Sequence, residues 1–133
     1  MKKLYLLFAL FLFSLVACVT SKENSRYNLY IDEHTPSVIK VPIGEEFTIF
    51  LQSNPSTGYS WEIKDEKYLR LVSFKSQGFI QNSGSELVGV PGIQRFVFQA
   101  IDAGDQEIIF EYRRPWETDK DPIDVKKVAI FIR

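Results

Sequence analysis

Apolar side chains fall on every second residue along much of this chain, a spacing that suits extended strands with one buried face. Phe47, Ile49 and Leu51 alternate with Thr48 and Phe50, and Tyr59, Trp61 and Ile63 alternate with Ser60, Glu62 and Lys64. The same period runs through Phe96, Phe98 and Ala100, through Ile108, Phe110 and Tyr112, and through Val128, Ile130 and Ile132. Beyond residue 17 no long stretch carries a helical stripe. Glycine and proline interrupt the pattern at Pro36, Pro42 and Gly44, at Pro55 and Gly58, from Gly78 to Gly92, at Gly104, and at Pro115 and Pro122, where turns are expected. Strands are therefore predicted near 27–32 and 37–41, counted together as one, and near 46–52, 59–64, 69–76, 93–101, 105–113 and 125–132. Seven short alternating strands in about 110 residues point to an all-β chain folded as an immunoglobulin-like antiparallel β-sandwich. Trp61 lies on the third of them, where such folds often bury a tryptophan.

Residues 1–17 do not belong to that pattern. Lys2 and Lys3 precede an apolar run from Leu4 to Ala17, which has the charged start, apolar middle and small-residue exit of an export signal. The run is shorter than the roughly 20 residues that a membrane-spanning helix needs. Leu15-Val16-Ala17-Cys18 resembles the bacterial lipobox, in which the signal is cut before a cysteine that carries a lipid; ordinary secretion with cleavage near Ala17 is the alternative. The organisation expected is a lipoprotein-type signal over 1–17, a small polar tether over 18–26 and one domain over 27–133. Cys18 is the sole cysteine, so no intrachain disulfide can form, and Phe and Ile packing must hold the sheets together. Losing residues 1–17 removes two of the 16 basic groups and none of the 17 acidic ones. A slightly acidic domain of this kind has no affinity for nucleic acid or an anionic membrane surface built into its charge.

In an antiparallel sandwich, successive connections alternate between the two ends, so the loops after the second, fourth and sixth strands share one end. Those loops carry Asn54-Pro55-Ser56-Thr57-Gly58-Tyr59, then Gly89-Val90-Pro91-Gly92, then Arg113-Arg114-Pro115-Trp116. The first is at minimum a good tight turn, since Pro55 fixes one dihedral and Gly58 is free to take positive φ. Trp116 is harder to place as structure, because a large aromatic beyond the end of a strand is badly sited for the core.

Asn54-Pro55-Ser56-Thr57-Gly58-Tyr59 resembles the Asn-Pro-Thr-Thr-Gly-aromatic motif of the chagasin family, inhibitors of papain-like cysteine proteases. Tyr112-Arg113-Arg114-Pro115-Trp116 is similar to that family's Arg-Pro-Trp motif, and Leu87-Val88-Gly89-Val90-Pro91-Gly92 to its glycine-rich segment. Order and spacing agree over residues 36–133. The resemblance implies an immunoglobulin-like fold and a reversible, non-covalent inhibitor; a monomer without a cofactor is expected. Its three loops would enter the cleft of a papain-like, cathepsin L-like protease side by side. Asn54, Pro55, Ser56, Thr57, Gly58 and Tyr59 would face the catalytic cysteine, flanked by Gly89, Val90, Pro91 and Gly92 and by Arg114, Pro115 and Trp116. Ser56 stands where the family commonly has Thr and keeps the hydroxyl. Pro91 replaces a frequent Gly, which removes a backbone donor and stiffens the middle loop.

Enzymatic chemistry has little to work with. His34 is the sole histidine, Cys18 is the sole thiol, and no paired carboxylates are expected on convergent loops. His34, beside Thr35 and Pro36, reads as a solvated turn residue. The acidic residues Glu117, Asp119, Asp121 and Asp124 lack the glycine and terminal glutamate of a calcium loop and read as a solvated charge run, so no metal is expected. The alternative function is a non-inhibitory adhesion or carbohydrate-binding sandwich that uses the same loop edge.

Overall fold

The computed structural model describes residues 25–33, 37–81 and 91–133. Among the described residues eight strands form: β1 Tyr27–Ile31, β2 Val38–Val41, β3 Glu46–Ser53, β4 Ser60–Ile63, β5 Val72–Ile80, β6 Gly92–Ala100, β7 Gly104–Arg113 and β8 Asp124–Ile132. Two single-turn 3-10 segments, Pro55–Thr57 and Glu66–Tyr68, are the helical elements among the described residues. The strands make two four-stranded sheets, ordered β1-β3-β6-β5 and β2-β8-β7-β4, packed as the expected sandwich. The export signal, Cys18, most of the tether, His34, Gly89 and Val90 lie outside the described residues.

The alternation places the core as predicted. Phe47, Ile49 and Leu51 from β3 meet Phe96, Phe98 and Ala100 from β6, while Ile108 and Phe110 from β7 and Val128, Ile130 and Ile132 from β8 close from the other sheet. All of these are essentially without solvent contact. Phe98 sits at the centre of an aromatic cluster, its ring centroid 5.4 Å from Phe47, 5.6 Å from Phe74 and 6.4 Å from Phe110. Each such ring contributes roughly 1.5–3 kcal/mol by leaving water.

Three expectations need correction. The segment 27–41 is not one strand of an antiparallel sheet: β1 runs parallel to β3 in one sheet, and β2 runs parallel to β8 in the other. A period of two fixes which side chains face inward but says nothing of which sheet a short strand joins, or in which direction. The strand expected at 69–76 begins instead at Val72 and continues to Ile80. Leu69 closes the 3-10 turn at Glu66–Tyr68 through its N–H to Glu66 O (3.0 Å), so its apolar side chain belongs to a turn. Gly78, expected as a break, lies within β5, and a Cβ there would be 3.3 Å from Arg95 Nε.

Register fixes where the loops emerge. Ser53 pairs with Gly92, Ile80 with Ile93, Ser60 with Arg113 and Tyr112 with Asp124. The β3–β4, β5–β6 and β7–β8 connections therefore leave from one end of the sandwich.

Candidate functional site

The β3–β4 loop is a turn that satisfies its own polar groups. Asn54 Oδ1 accepts from Ser56 N–H (3.3 Å) and from the Ser56 hydroxyl (2.6 Å), capping the 3-10 turn with Pro55 in its first position. Thr57 Oγ1 donates to Asn54 O (2.7 Å), and Gly58 N–H donates to Pro55 O (3.1 Å). Gly58 leaves the turn at φ +79°, in the left-handed region that favours glycine. The Ser56 hydroxyl is spent on Asn54, which is the physical reason that a hydroxyl residue serves there. Pro55, Ser56 and Thr57 are all exposed.

The β7–β8 loop leans on that turn through two side chains. Arg114 Nε donates to Thr57 O (3.2 Å), and its guanidinium lies 4.6 Å from the centroid of the Tyr59 ring. The indole of Trp116 covers Gly58. Trp116 nevertheless remains 67% exposed, so its outer face is free. Arg114 is also held from its own loop, with Nη1 3.6 Å from Glu117 Oε1, while Lys120 Nζ lies 2.9 Å from the same oxygen. The hydrogen bond from Lys120, and then the positive charges of Lys120 and Arg114, hold the Glu117 carboxyl below its ordinary pKa. Asp124 is occupied with Lys126 (3.5 Å) and with Val125 N–H (2.7 Å). Among the described residues no three His, Cys, Asp or Glu side chains converge as a metal site would require.

Beneath the loops lies a layer of aromatic and amide side chains. Tyr112 Oη accepts from Asn54 N–H (3.0 Å), and its ring lies 5.5 Å from Tyr59 and 4.8 Å from Trp61. Trp61, 4% exposed, donates through Nε1 to Gln52 O (2.7 Å), which satisfies the one polar atom of a buried indole. Gln94 on β6 bonds the main chain of Trp61 twice, Oε1 accepting from its N–H and Nε2 donating to its C=O, both at 2.9 Å.

The third loop is described only at its exit. Pro91 is exposed, whereas Gly92 is buried as the first residue of β6, and a Cβ on Gly92 would collide with the Phe79 ring. Sequence reasoning missed Gln94 and Tyr112 as supports. For Gln94 there was a signal: position 94 shares the inward face of 96, 98 and 100, and a lone polar residue on an apolar face needs a partner.

Residues 40–130, which contain all three loops, match the model of the Chagasin family peptidase inhibitor I42. The chain belongs to the chagasin family. That family is one of peptidase inhibitors and not of enzymes, and membership in it replaces the adhesion or carbohydrate-binding alternative. The chain is 27% identical over 125 residues to amoebiasin-2 of Entamoeba histolytica, covering 92% of this chain and 98% of that one. It is 29% identical over 87 residues to chagasin of Trypanosoma cruzi, covering 62% and 77%. The crystal structure of the cysteine protease inhibitor EhICP2 from Entamoeba histolytica superposes with a TM-score of 0.66 at 26% identity, over 80% of this chain and 95% of that one. The PbICP-C inhibitor, solved in complex with falcipain-2, has the same fold, with a TM-score of 0.54 at 18% identity over 80% and 99%.

Proposed function

We propose that this chagasin-family protein inhibits papain-like cysteine proteases reversibly and without a covalent step, by seating its three-loop end in the active-site cleft. The carrying observation is the seat of Trp116 on Gly58, which, together with the Arg114 bond to Thr57 O, joins two of the loops into one convex body. Thr57, exposed in the first loop, would approach the catalytic thiolate, with Trp116 and the segment 89–92 on its flanks. Ordered before docking, the first and third loops lose little entropy on binding, and an ordinary interface of about 800 Å² per partner then suffices for tight inhibition.

Hydrogen bonding within the loop explains how it would block the cleft without being cut. A substrate carbonyl must meet the nucleophile and the oxyanion donors together. Asn54 O accepts from Thr57 N–H (3.3 Å) and Thr57 Oγ1, Pro55 O accepts from Gly58 N–H, and Thr57 O accepts from Arg114 Nε. Three of the four carbonyls from Asn54 to Thr57 are thus already committed inside the inhibitor. To meet the oxyanion donors of a protease, any of them would have to give up or share its internal hydrogen bond.

In the cell, the apolar N-terminal run and the Leu15-Val16-Ala17-Cys18 sequence support export, with a lipid on Cys18 anchoring the inhibitor to the extracytoplasmic side of a membrane and the tether letting it reach a protease. Fatty-acid labelling that is lost in Cys18→Ser tests the anchor. Inhibition itself is tested by titrating residues 19–133, which include every strand of both sheets, into papain with a fluorogenic substrate. Loss of turnover near one equivalent is expected; full turnover at micromolar excess of inhibitor would refute the reading.

A further inference from the structure

β4 is a four-residue strand at the edge of its sheet, paired on one side with β7. An edge strand normally leaves a row of main-chain N–H and C=O groups unpaired. Trp61 does not, because the Gln94 carboxamide takes the place of a neighbouring strand and bonds both its N–H and its C=O. Only one orientation of the amide, oxygen toward the N–H and nitrogen toward the C=O, satisfies both. Gln94 comes from the opposite sheet, two residues after Gly92, where the middle loop rejoins β6, and it reaches Trp61, two residues after Tyr59, where the first loop rejoins β4. Trp61 in turn stacks on Tyr112, two residues before Arg114, and Tyr112 Oη holds Asn54 N–H. One side chain therefore links the base of the middle loop to the bases of the other two, across a sandwich with no disulfide.

We propose that Gln94 is a positioning residue for inhibition: its carboxamide locks the two sheets together directly under the loops, so that the first and third loops and the start of β6 keep fixed places relative to one another. The proposal rests on the inhibitor reading above and adds the element that sets its geometry. Two hydrogen bonds from an uncharged amide are a modest part of global stability. Their position makes them matter more to the loops than to the fold, since misplacement of interface groups by even about 1 Å is costly.

The test compares wild-type protein with Gln94→Met, which keeps the length and loses both bonds, and with Gln94→Glu. At neutral pH a carboxylate at this position accepts from Trp61 N–H but sets its second oxygen against Trp61 C=O; protonated, it is isosteric with the amide and both bonds return. Inhibition of papain and amide hydrogen exchange of residues 54–63 are measured on samples whose circular dichroism shows them folded. We expect Gln94→Met to weaken inhibition at least tenfold and to speed exchange in 54–63 while β7 and β8 stay protected. Gln94→Glu should be weak at neutral pH and approach the wild-type inhibition constant as the pH falls toward about 4, where a carboxyl protonates. Folded variants that inhibit and exchange like wild type overturn the role of Gln94 and leave the inhibitor reading intact, as does a Gln94→Glu defect that ignores pH. A wild-type protein that does not inhibit papain overturns both.

Discussion

Trp116 rests its indole on Gly58, and a Cβ added to Gly58 would come within 2.6 Å of the Trp116 Cη2 atom. Glycine is required there twice over, because the residue also stands at φ +79°. Gly58→Ala should therefore cost about 1–3 kcal/mol of stability from backbone strain and push the indole off its seat. In a double-mutant cycle with Trp116→Ala, read from papain inhibition constants, the alanine at 58 should cost much less once the indole is gone. Additive losses would mean that the contact does not set the geometry of the site.

Trp116 makes the cleanest separation of binding from folding. An indole that is 67% exposed contributes little to the native state, yet buried at an interface it is a hot spot worth about 2 kcal/mol or more. Trp116→Ala should leave the melting temperature within about a degree of wild type while weakening inhibition at least tenfold. Isothermal titration and a thermal melt on the same sample check both halves.

How much of this was legible beforehand varies with the kind of information. Inward positions such as Phe96, Phe98, Ile108 and Phe110 follow from a period of two, which depends only on backbone geometry, and all four are buried. The parity of connections correctly gathers the three loops at one end, because it depends only on strand count between them. The assignment of β1 and β2 to different sheets was not legible, since Asp32 and Glu33 carry no signal for a crossing between layers. Nor was the role of Arg114, a residue read as protease contact that is found donating to Thr57 O and lying over Tyr59. Such a contact joins residues 57 apart and becomes visible only once β4 and β7 are paired.

Arg114 makes a planar contact as well as a charged one. Lysine would keep the charge but lose both the Nε donor to Thr57 O and the flat guanidinium over the Tyr59 ring. Arg114→Lys is expected to weaken inhibition roughly fivefold, about 1 kcal/mol for one charge-assisted hydrogen bond in a partly exposed site. Stopped-flow measurement should show the loss mainly in the dissociation rate. A lysine variant equal to wild type would assign the bracing to Trp116 alone.

Acid should loosen the same brace, with a definite sign. The Glu117 carboxyl titrates lower in the fold than in the unfolded chain because Lys120 and Arg114 favour its charged form. Its contribution is therefore complete above the unfolded value, about 4.3, and is lost as the pH drops through the lower, folded value. The Arg114 Nε–H resonance should keep its hydrogen-bonded shift at mildly acidic pH and move only below the ordinary glutamate range. In Glu117→Gln the resonance should be displaced at neutral pH already and insensitive to acid. A wild-type transition centred above about 4.3 would contradict the favourable pairing.

The absence of a disulfide in the described sandwich places its cohesion on rings that meet between the sheets. Phe98 of β6 touches Phe47 of β3 and Phe74 of β5 within its own sheet and Phe110 of β7 across the interface. Removing it leaves a cavity walled by Phe47 and Phe110 on the inner strands β3 and β7 and by Phe74 on the edge strand β5. Phe98→Ala should cost about 3–5 kcal/mol in urea unfolding, with an unchanged slope if the transition stays two-state. Against a total stability of about 5–15 kcal/mol, that loss leaves a large unfolded fraction at assay temperature if the wild-type protein lies near the lower end of the range. Inhibition should then fall through loss of folded protein, with the inhibition constant of the remaining active fraction unchanged. Active-site titration against papain distinguishes this from Trp116→Ala, which should preserve the active fraction and raise the constant.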